Sequence, residues 1–190
     1  MIMFQSKKVI LFGFVLTCAW LVTACSSQTP TPTSEGVVPH LDDLVLATSS
    51  GSNEDLFALV QFSSLPCTKA EGLGGPPTCL TGESEGTRVE VLPILSMEGH
   101  HIRRSDLSSW AGIGDAQLYA AYRTSESTFS DEFYPAGEFG VVFLLPDLIN
   151  GVVFQVTQDG IVRIDYQDLA SIEDLLKTSE VVLGPIPLSD

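Results

Sequence analysis

The tightest constraint on the fold lies near the C-terminus, where residues 152–166 read VVFQVTQDGIVRIDY. Two apolar runs, 152–157 and 161–166, flank Asp159-Gly160. An Asp-Gly pair between alternating runs is a hairpin signal, because both turn positions accept positive φ. The run just upstream, FGVVFLL at 139–145, reads as another strand, with Asn150-Gly151 as the turn between them. Earlier, 87–95 and 116–123 also alternate. Val89 and Val91 oppose Arg88 and Glu90; Ala116, Leu118, Ala120 and Tyr122 oppose Gln117, Tyr119, Ala121 and Arg123. Shorter strands are expected at 61–66 and 181–183.

Helical spacing sits elsewhere. In HLDDLVLATS at 40–49, Leu41, Leu44, Val45 and Thr48 recur at three and four residues, and Gly51 ends the run. Ser52 or Asn53 can cap a second helix that buries Leu56, Phe57 and Val60, with Glu54 and Asp55 in its first turn. Ser105-Asp106 starts a short helix carrying Leu107 and Trp110, closed by Gly112 and Gly114. Ser171 reads as the cap of a last helix that buries Ile172, Leu175 and Leu176.

No regular strand–helix–strand alternation appears, so a doubly wound parallel sheet is not expected. The expected class is α+β: a curved antiparallel sheet of about four to six strands, with helices on one face. Two of the helices are N-terminal, and one or two more are short. The helical pair over 41–60, with its break at 51–55, and the closing VVFQVTQDGIVRIDY hairpin resemble the NTF2-like or cystatin-like class. The resemblance implies a leading helical pair, a sheet that closes a cone and a pocket at the wide end. A fold of this kind does not by itself fix a function.

The N-terminus carries an address. Lys7 and Lys8 precede the uncharged apolar run 9–22, which is short for crossing roughly 30 Å of hydrocarbon. Leu21-Val22-Thr23-Ala24-Cys25 follows, and it resembles the lipobox of a bacterial lipoprotein signal. That resemblance implies signal removal over residues 1–24 and lipidation of Cys25. The acyl anchor would be a diacylglycerol on sulfur, often with a third chain, such as palmitate, on the amine. Each buried methylene contributes about 0.8 kcal/mol, so two or more chains anchor stably. The alternatives are ordinary cleavage after Ala24 or an uncleaved anchor. Residues 25–36, rich in Ser, Thr and Pro, read as a tether, and 37–190 as a single domain. The expected location is extracytoplasmic, on a bacterial membrane.

Charge narrows the partners. The chain is formally −15, and loss of Lys7 and Lys8 with the signal makes it −17. Such a surface repels phosphate backbones, so nucleic acid is not an expected partner. The expected partners are the bilayer, through the anchor, and an envelope ligand or protein. Cys67 and Cys79 flank the Gly- and Pro-rich segment TKAEGLGGPPT. In an exported domain such a pair is most simply a disulfide. Their spacing is far from C-x-x-C, and a zinc site would need two more ligands.

The remaining motifs are weaker. Gly82-Glu83-Ser84-Glu85-Gly86 matches G-x-S-x-G, but no strand precedes it, no helix follows it, and no suitably spaced acid and histidine come after. His100, His101, Arg103 and Arg104 form the densest basic spot. The plainest reading is a solvated turn; the sharper one is an anion-binding or partner-docking patch, or a single histidine acting as acid or base. Both imidazoles are expected to be exposed and to titrate near 6.5, the ordinary histidine value. Adjacent residues of an extended chain face opposite ways, so the two imidazoles are poor joint metal ligands. Of the pairs Asp42-Asp43, Glu54-Asp55, Asp131-Glu132 and Glu173-Asp174, three begin helices or nearly so, where the macrodipole favours acids, so no metal is needed to explain them. No EF-hand, P-loop, G-x-G-x-x-G or H-E-x-x-H occurs, and no cofactor is expected. Glu90, Tyr119, Arg123 and Asp165 are polar residues able to line a sheet face.

Two readings follow. The leading one is a non-catalytic, tethered module that binds a ligand or partner in the envelope. The alternative is a small-molecule enzyme in an NTF2-like cone, with a histidine or carboxylate base. They part at the pocket, where an enzyme needs convergent polar groups with perturbed pKa values.

Overall fold

The computed structural model describes residues 38–187 apart from 71, 73 and 110–112. The signal, Cys25 and the tether lie outside the described residues, as do Trp110 and Gly112. Two helices lead: α1 (Leu41–Ser50) and α2 (Asn53–Ala58). Strands β1 (Ser63–Pro66), β2 (Arg88–Leu95) and β3 (His100–Arg103) follow, then a 3-10 helix, Arg104–Ser109. A meander comes next: β4 (Gln117–Arg123), β5 (Phe139–Leu144), β6 (Asn150–Thr157) and β7 (Gly160–Asp168). Helix α3 (Leu169–Thr178) and β8 (Glu180–Leu183) close the chain.

The result is an α+β domain built on an open, mixed, eight-stranded sheet in the order β1-β2-β7-β6-β5-β4-β8, with β3 on β2. This corrects the expected antiparallel sheet of four to six strands. Strands β4 to β7 pair antiparallel as expected, but β2 joins β7 in parallel, through Ile94↔Ile164 and Leu95↔Asp165. Val91 faces both Ser63 and Arg103, while Ile94 faces both His100 and Ile164. Hence β1 and β7 share one edge of β2 end to end, and β3 takes the other. Short turns encode the β5–β6 and β6–β7 pairs locally. The parallel seam joins units distant in sequence, and alternation carries no information about its direction.

Helices cover both faces of the sheet, which corrects the one-faced expectation. On one face Ile94, Ile164, Phe154, Val141 and Ala121 pair across five strands, all of them fully buried. They join Leu41, Leu44 and Leu56 of the leading helices in one core. On the other face Ala120, Tyr122, Val142 and Val153 pack beneath Ile172 and Leu176 of α3. Strand β5 is buried at every residue, the signature of a strand covered twice.

Local chemistry explains the joints. The Ser52 side chain accepts from Asp55 N and starts α2. Helix α3 is capped by Asp168, not Ser171. Its carboxylate accepts from Ser171 N and from the Ser171 hydroxyl, so the expected cap is the cap's partner. The turn before β6 covers 147–149 instead of Asn150-Gly151. Asp147 accepts from Ile149 N and Asn150 N at 3.0 Å each, and Leu148 takes φ 55°. The closing hairpin forms, with Gln158 and Asp159 in the loop and Gly160 opening β7 at φ 134°. A Cβ at Gly160 would collide with the Leu59 carbonyl oxygen, which accepts from Ile161 N at 2.8 Å. Glycine therefore lets the end of α2 dock on the hairpin.

Candidate recess over a buried polar row

Beside the apolar core under α3 runs a polar row. Arg163 on β7 faces Gln155 on β6, Gln155 faces Gly140 on β5, and Gly140 faces Tyr122 on β4. All three side chains are buried. Gly140 explains how they meet: a Cβ there would lie inside the Tyr122 ring, so the missing side chain lets that ring lean across β5. Gln155 Nε2 then approaches Tyr122 Oη at 3.5 Å and donates to Asp165 Oδ2 at 3.0 Å. Gln155 Oε1 accepts from Gly137 N at 3.2 Å.

Asp165 lies two residues beyond Arg163, on the same face of β7. Arg163 donates from Nε to Oδ1 at 2.6 Å and from Nη2 to Oδ2 at 3.0 Å, a forked pair that cancels charge within the fold. Arg163 Nη1 reaches away from the sheet, donating to the carbonyls of Phe129 at 2.9 Å and Tyr134 at 2.7 Å. One guanidinium thus ties the sheet to the loop 124–137.

A cavity of about 260 Å³ opens over this floor. Ser125, Ser127 and Phe129 of the loop form one wall, and Thr178 and Ser179 at the end of α3 form another. Phe129 is 56% exposed although its carbonyl is held from below. Burial pushes the Tyr122 phenol up to about 12, against a smaller opposing effect of the Gln155 hydrogen bond. Tyr122 is therefore neutral at physiological pH. Sharing one proton donor–acceptor chain, these groups can orient a polar molecule; the one carboxylate among them has both oxygens engaged by Arg163 and Gln155.

The expected site residues lie elsewhere. Cys67 and Cys79 form the expected disulfide, with Cα atoms 4.9 Å apart. Their sulfurs lie within 4.8 Å of a Glu83 carboxylate oxygen, but they are joined to each other and Glu83 is engaged. Arg103 forks both Glu83 oxygens at 2.7 Å and donates to Thr78 O at 2.8 Å. Arg103, then the Leu80 N–H, hold the Glu83 carboxyl below the usual range. This ties β3 to the cysteine loop. Ser84 sits in an exposed turn followed by strand β2, so the G-x-S-x-G match forms no elbow.

The basic cluster divides. His100 is exposed, as expected. His101 is not: it is half-buried, 4.9 Å from the Tyr134 ring, with Nε2 at 3.2 Å from Phe133 O. Burial lowers its pKa, partly opposed by that hydrogen bond. The reason is β3 itself, whose alternation turns neighbouring imidazoles to opposite sides. His100, His101 and Arg103 border a second cavity, of about 360 Å³, against the cysteine loop. Arg104 leaves them, pairing with Glu90 at 3.2 Å and covering the Phe62 ring at 4.8 Å.

Of the four polar sheet residues singled out, only Asp165 reaches the first recess. Glu90 is taken by Arg104, and Arg123 lies 3.7 Å from Glu180. Tyr119 lines an apolar groove beside Leu176 and Val181. Sequence reasoning missed Tyr122, Gln155, Arg163 and the loop. The hairpin was legible but this pairing was not: regular pairing from the turn would set Gln155 opposite Val162, and a register shift between Gln155 and Val156 brings it opposite Arg163, with Asp165 two residues on. Comparison with known proteins adds no assignment, since no family model, no curated protein and no solved structure matches this chain.

Proposed function

We propose that this chain is a lipoprotein module of the cell envelope, anchored through Cys25, which binds a small ligand in the recess over Arg163 and Asp165 without transforming it. The lipobox-like sequence supports the anchor, and the strong negative charge argues against nucleic acid. One observation carries the preference for binding over catalysis. Both oxygens of the recess carboxylate are occupied, Oδ1 by Arg163 and Oδ2 by Arg163 and Gln155. A general base must have a lone pair within reach of the proton it takes. Asp165 keeps one lone pair, on Oδ1, and taking a proton there would cancel the charge that holds the buried forked pair with Arg163. The histidines, the other bases considered, border a different cavity.

The enzyme reading retains one favourable feature, the neutral phenol of Tyr122 at the recess floor, which has a proton to give. Kinship with the NTF2-like or cystatin-like class is likewise a proposal. The leading helical pair against the β4–β7 meander supports it, while the parallel β2–β7 seam and α3 on the opposite face depart from it.

The test is a thermal-shift panel of neutral, anionic, cationic and apolar small molecules, run on the domain and on Ser127→Trp, which fills the recess from its exposed rim. A ligand at a hundred times its Kd stabilises by about 2.7 kcal/mol. At least one chemical class should raise the Tm of the wild type and leave the variant unmoved. No shift with any class, or equal shifts in both proteins, contradicts the reading. Chemical conversion of a recess-bound molecule that is lost in Asp165→Asn would favour the enzyme.

A further inference from the structure

The charge and hydrogen-bond inventory of the recess restricts what it can hold. Its charged pair is internal: Arg163 and Asp165 satisfy each other, and Arg163 Nη1 is spent on two loop carbonyls. An anion would meet the Asp165 carboxylate beside the one N–H left on Arg163, and a cation would meet the guanidinium beside the one lone pair left on Asp165. Either would bring an unbalanced charge to a desolvated pair.

The walls then set the polarity. Thr178 and Ser179 direct their protons to Leu175 O at 3.1 and 2.8 Å, which leaves their oxygens as acceptors. Ser125 and Ser127 share a hydrogen bond at 2.7 Å and so keep one proton and several lone pairs between them. At the floor the Tyr122 oxygen accepts from Gln155, so its own proton remains to be donated. An apolar occupant would take water from these groups and return nothing, at about 1–3 kcal/mol for each one left unpaired. The exposed Phe129 ring supplies a flat apolar face at the rim. Acceptors on one wall, a donor below and an aromatic face beside them complement a ring with hydroxyls on its edge and C–H groups on its face.

We infer that the recess takes a neutral, polyhydroxylated ligand of about one sugar ring, an inference that rests on reading the recess as a binding site. At about 260 Å³ the cavity lies just below the ~300–1,000 Å³ of sites for drug-sized ligands, which suits one ring held at the end of a chain or alone.

The experiment is protein-observed NMR on the folded domain. The neutral probes are glucose, N-acetylglucosamine and cellobiose. Glucose 6-phosphate is the anionic probe, glucosamine the cationic one and cyclohexanol the apolar one. At least one neutral sugar should move Tyr122, Gln155 and Phe129 saturably. It should bind about tenfold or more tighter than its charged counterpart, a difference of about 1.4 kcal/mol. Phe129→Ala, at an exposed site, should keep the fold and weaken that sugar about tenfold. Tyr122→Phe should do the same by removing the donor. Preferential binding of the phosphate, the amine or cyclohexanol at these residues overturns the sugar inference and leaves the binding reading standing. Movement by no probe overturns both. Equal affinity in both variants overturns the sugar geometry.

Discussion

Among the described residues, the buried Tyr134 hydroxyl has no hydrogen-bond partner. An unmade bond of that kind costs free energy, so Tyr134→Phe should leave stability unchanged or raise it by about 1 kcal/mol in urea unfolding; a loss above 1 kcal/mol would mean that the hydroxyl has a partner. The imidazole stacked on that ring gives a pH dependence. His101 is depressed by burial, so between its folded value and the ordinary 6.5 the unfolded chain binds the extra proton. The stability it contributes is fully present above 6.5 and falls as pH drops through the folded value. His101→Gln should flatten this acid limb in a series of urea midpoints from pH 7 to 4, and an unchanged limb would contradict the assignment. At the floor, Asp165→Ala leaves Arg163 buried without its counter-charge and should cost about 3–5 kcal/mol. Replacing both partners by apolar residues should cost less than the sum of the single changes, the mark of a coupled pair. Single residues of this kind are hard to read in sequence. Arg163 and Asp165 alternate with Val162 and Ile164, which looks like a strand with a wet face. What buries them is α3 and the loop 124–137, neither of which the strand's own pattern mentions.

Strands β5, β6 and β7 were legible because period-two runs, an Asp-Gly turn and short spacing all agree within one stretch of chain. Boundaries moved where a side chain one or two residues away made the better cap or turn, as Asp147 and Asp168 do. Strand β3 was hidden by its polar sequence HHIR, and only pairing with β2 makes it a strand. The cysteine loop depends on its staple. Closing a loop of this length contributes about 3 kcal/mol on the chain-entropy model. The Cys67→Ala/Cys79→Ala protein should therefore unfold earlier by about that amount while keeping the far-UV spectrum of the sheet, since β4 to β7 pair without the loop. Loss of the sheet spectrum at room temperature would show that the loop is needed for the fold. Glycine at 140 offers a sharper element-level check. Gly140→Ala should be strongly destabilising beside Tyr122 and far less so in a Tyr122→Leu background, because the ring is what the new methyl meets.

At the scale of the molecule, a two-faced sheet does two jobs. One face carries the larger apolar core beneath α1 and α2, which leaves the α3 face free to mix core with polar groups. The recess forms where α3 ends and the loop 124–137, pinned by Arg163, takes over the cover. The anchor proposed at Cys25 would place the protein in the envelope. Cys25→Ser should release the protein from the membrane fraction, and an intact mass without acyl addition on the wild type would contradict the anchor. A sugar bound in the recess would leave its charged pair closed. The direct measurement is NMR of the Arg163 Nε–H and the Gln155 carboxamide during titration with N-acetylglucosamine. Saturable movement of the Gln155 signals is expected, while the Arg163 Nε–H stays protected from solvent exchange. Static Gln155 signals throughout, or an Arg163 Nε–H that begins to exchange as the sugar is added, would contradict it.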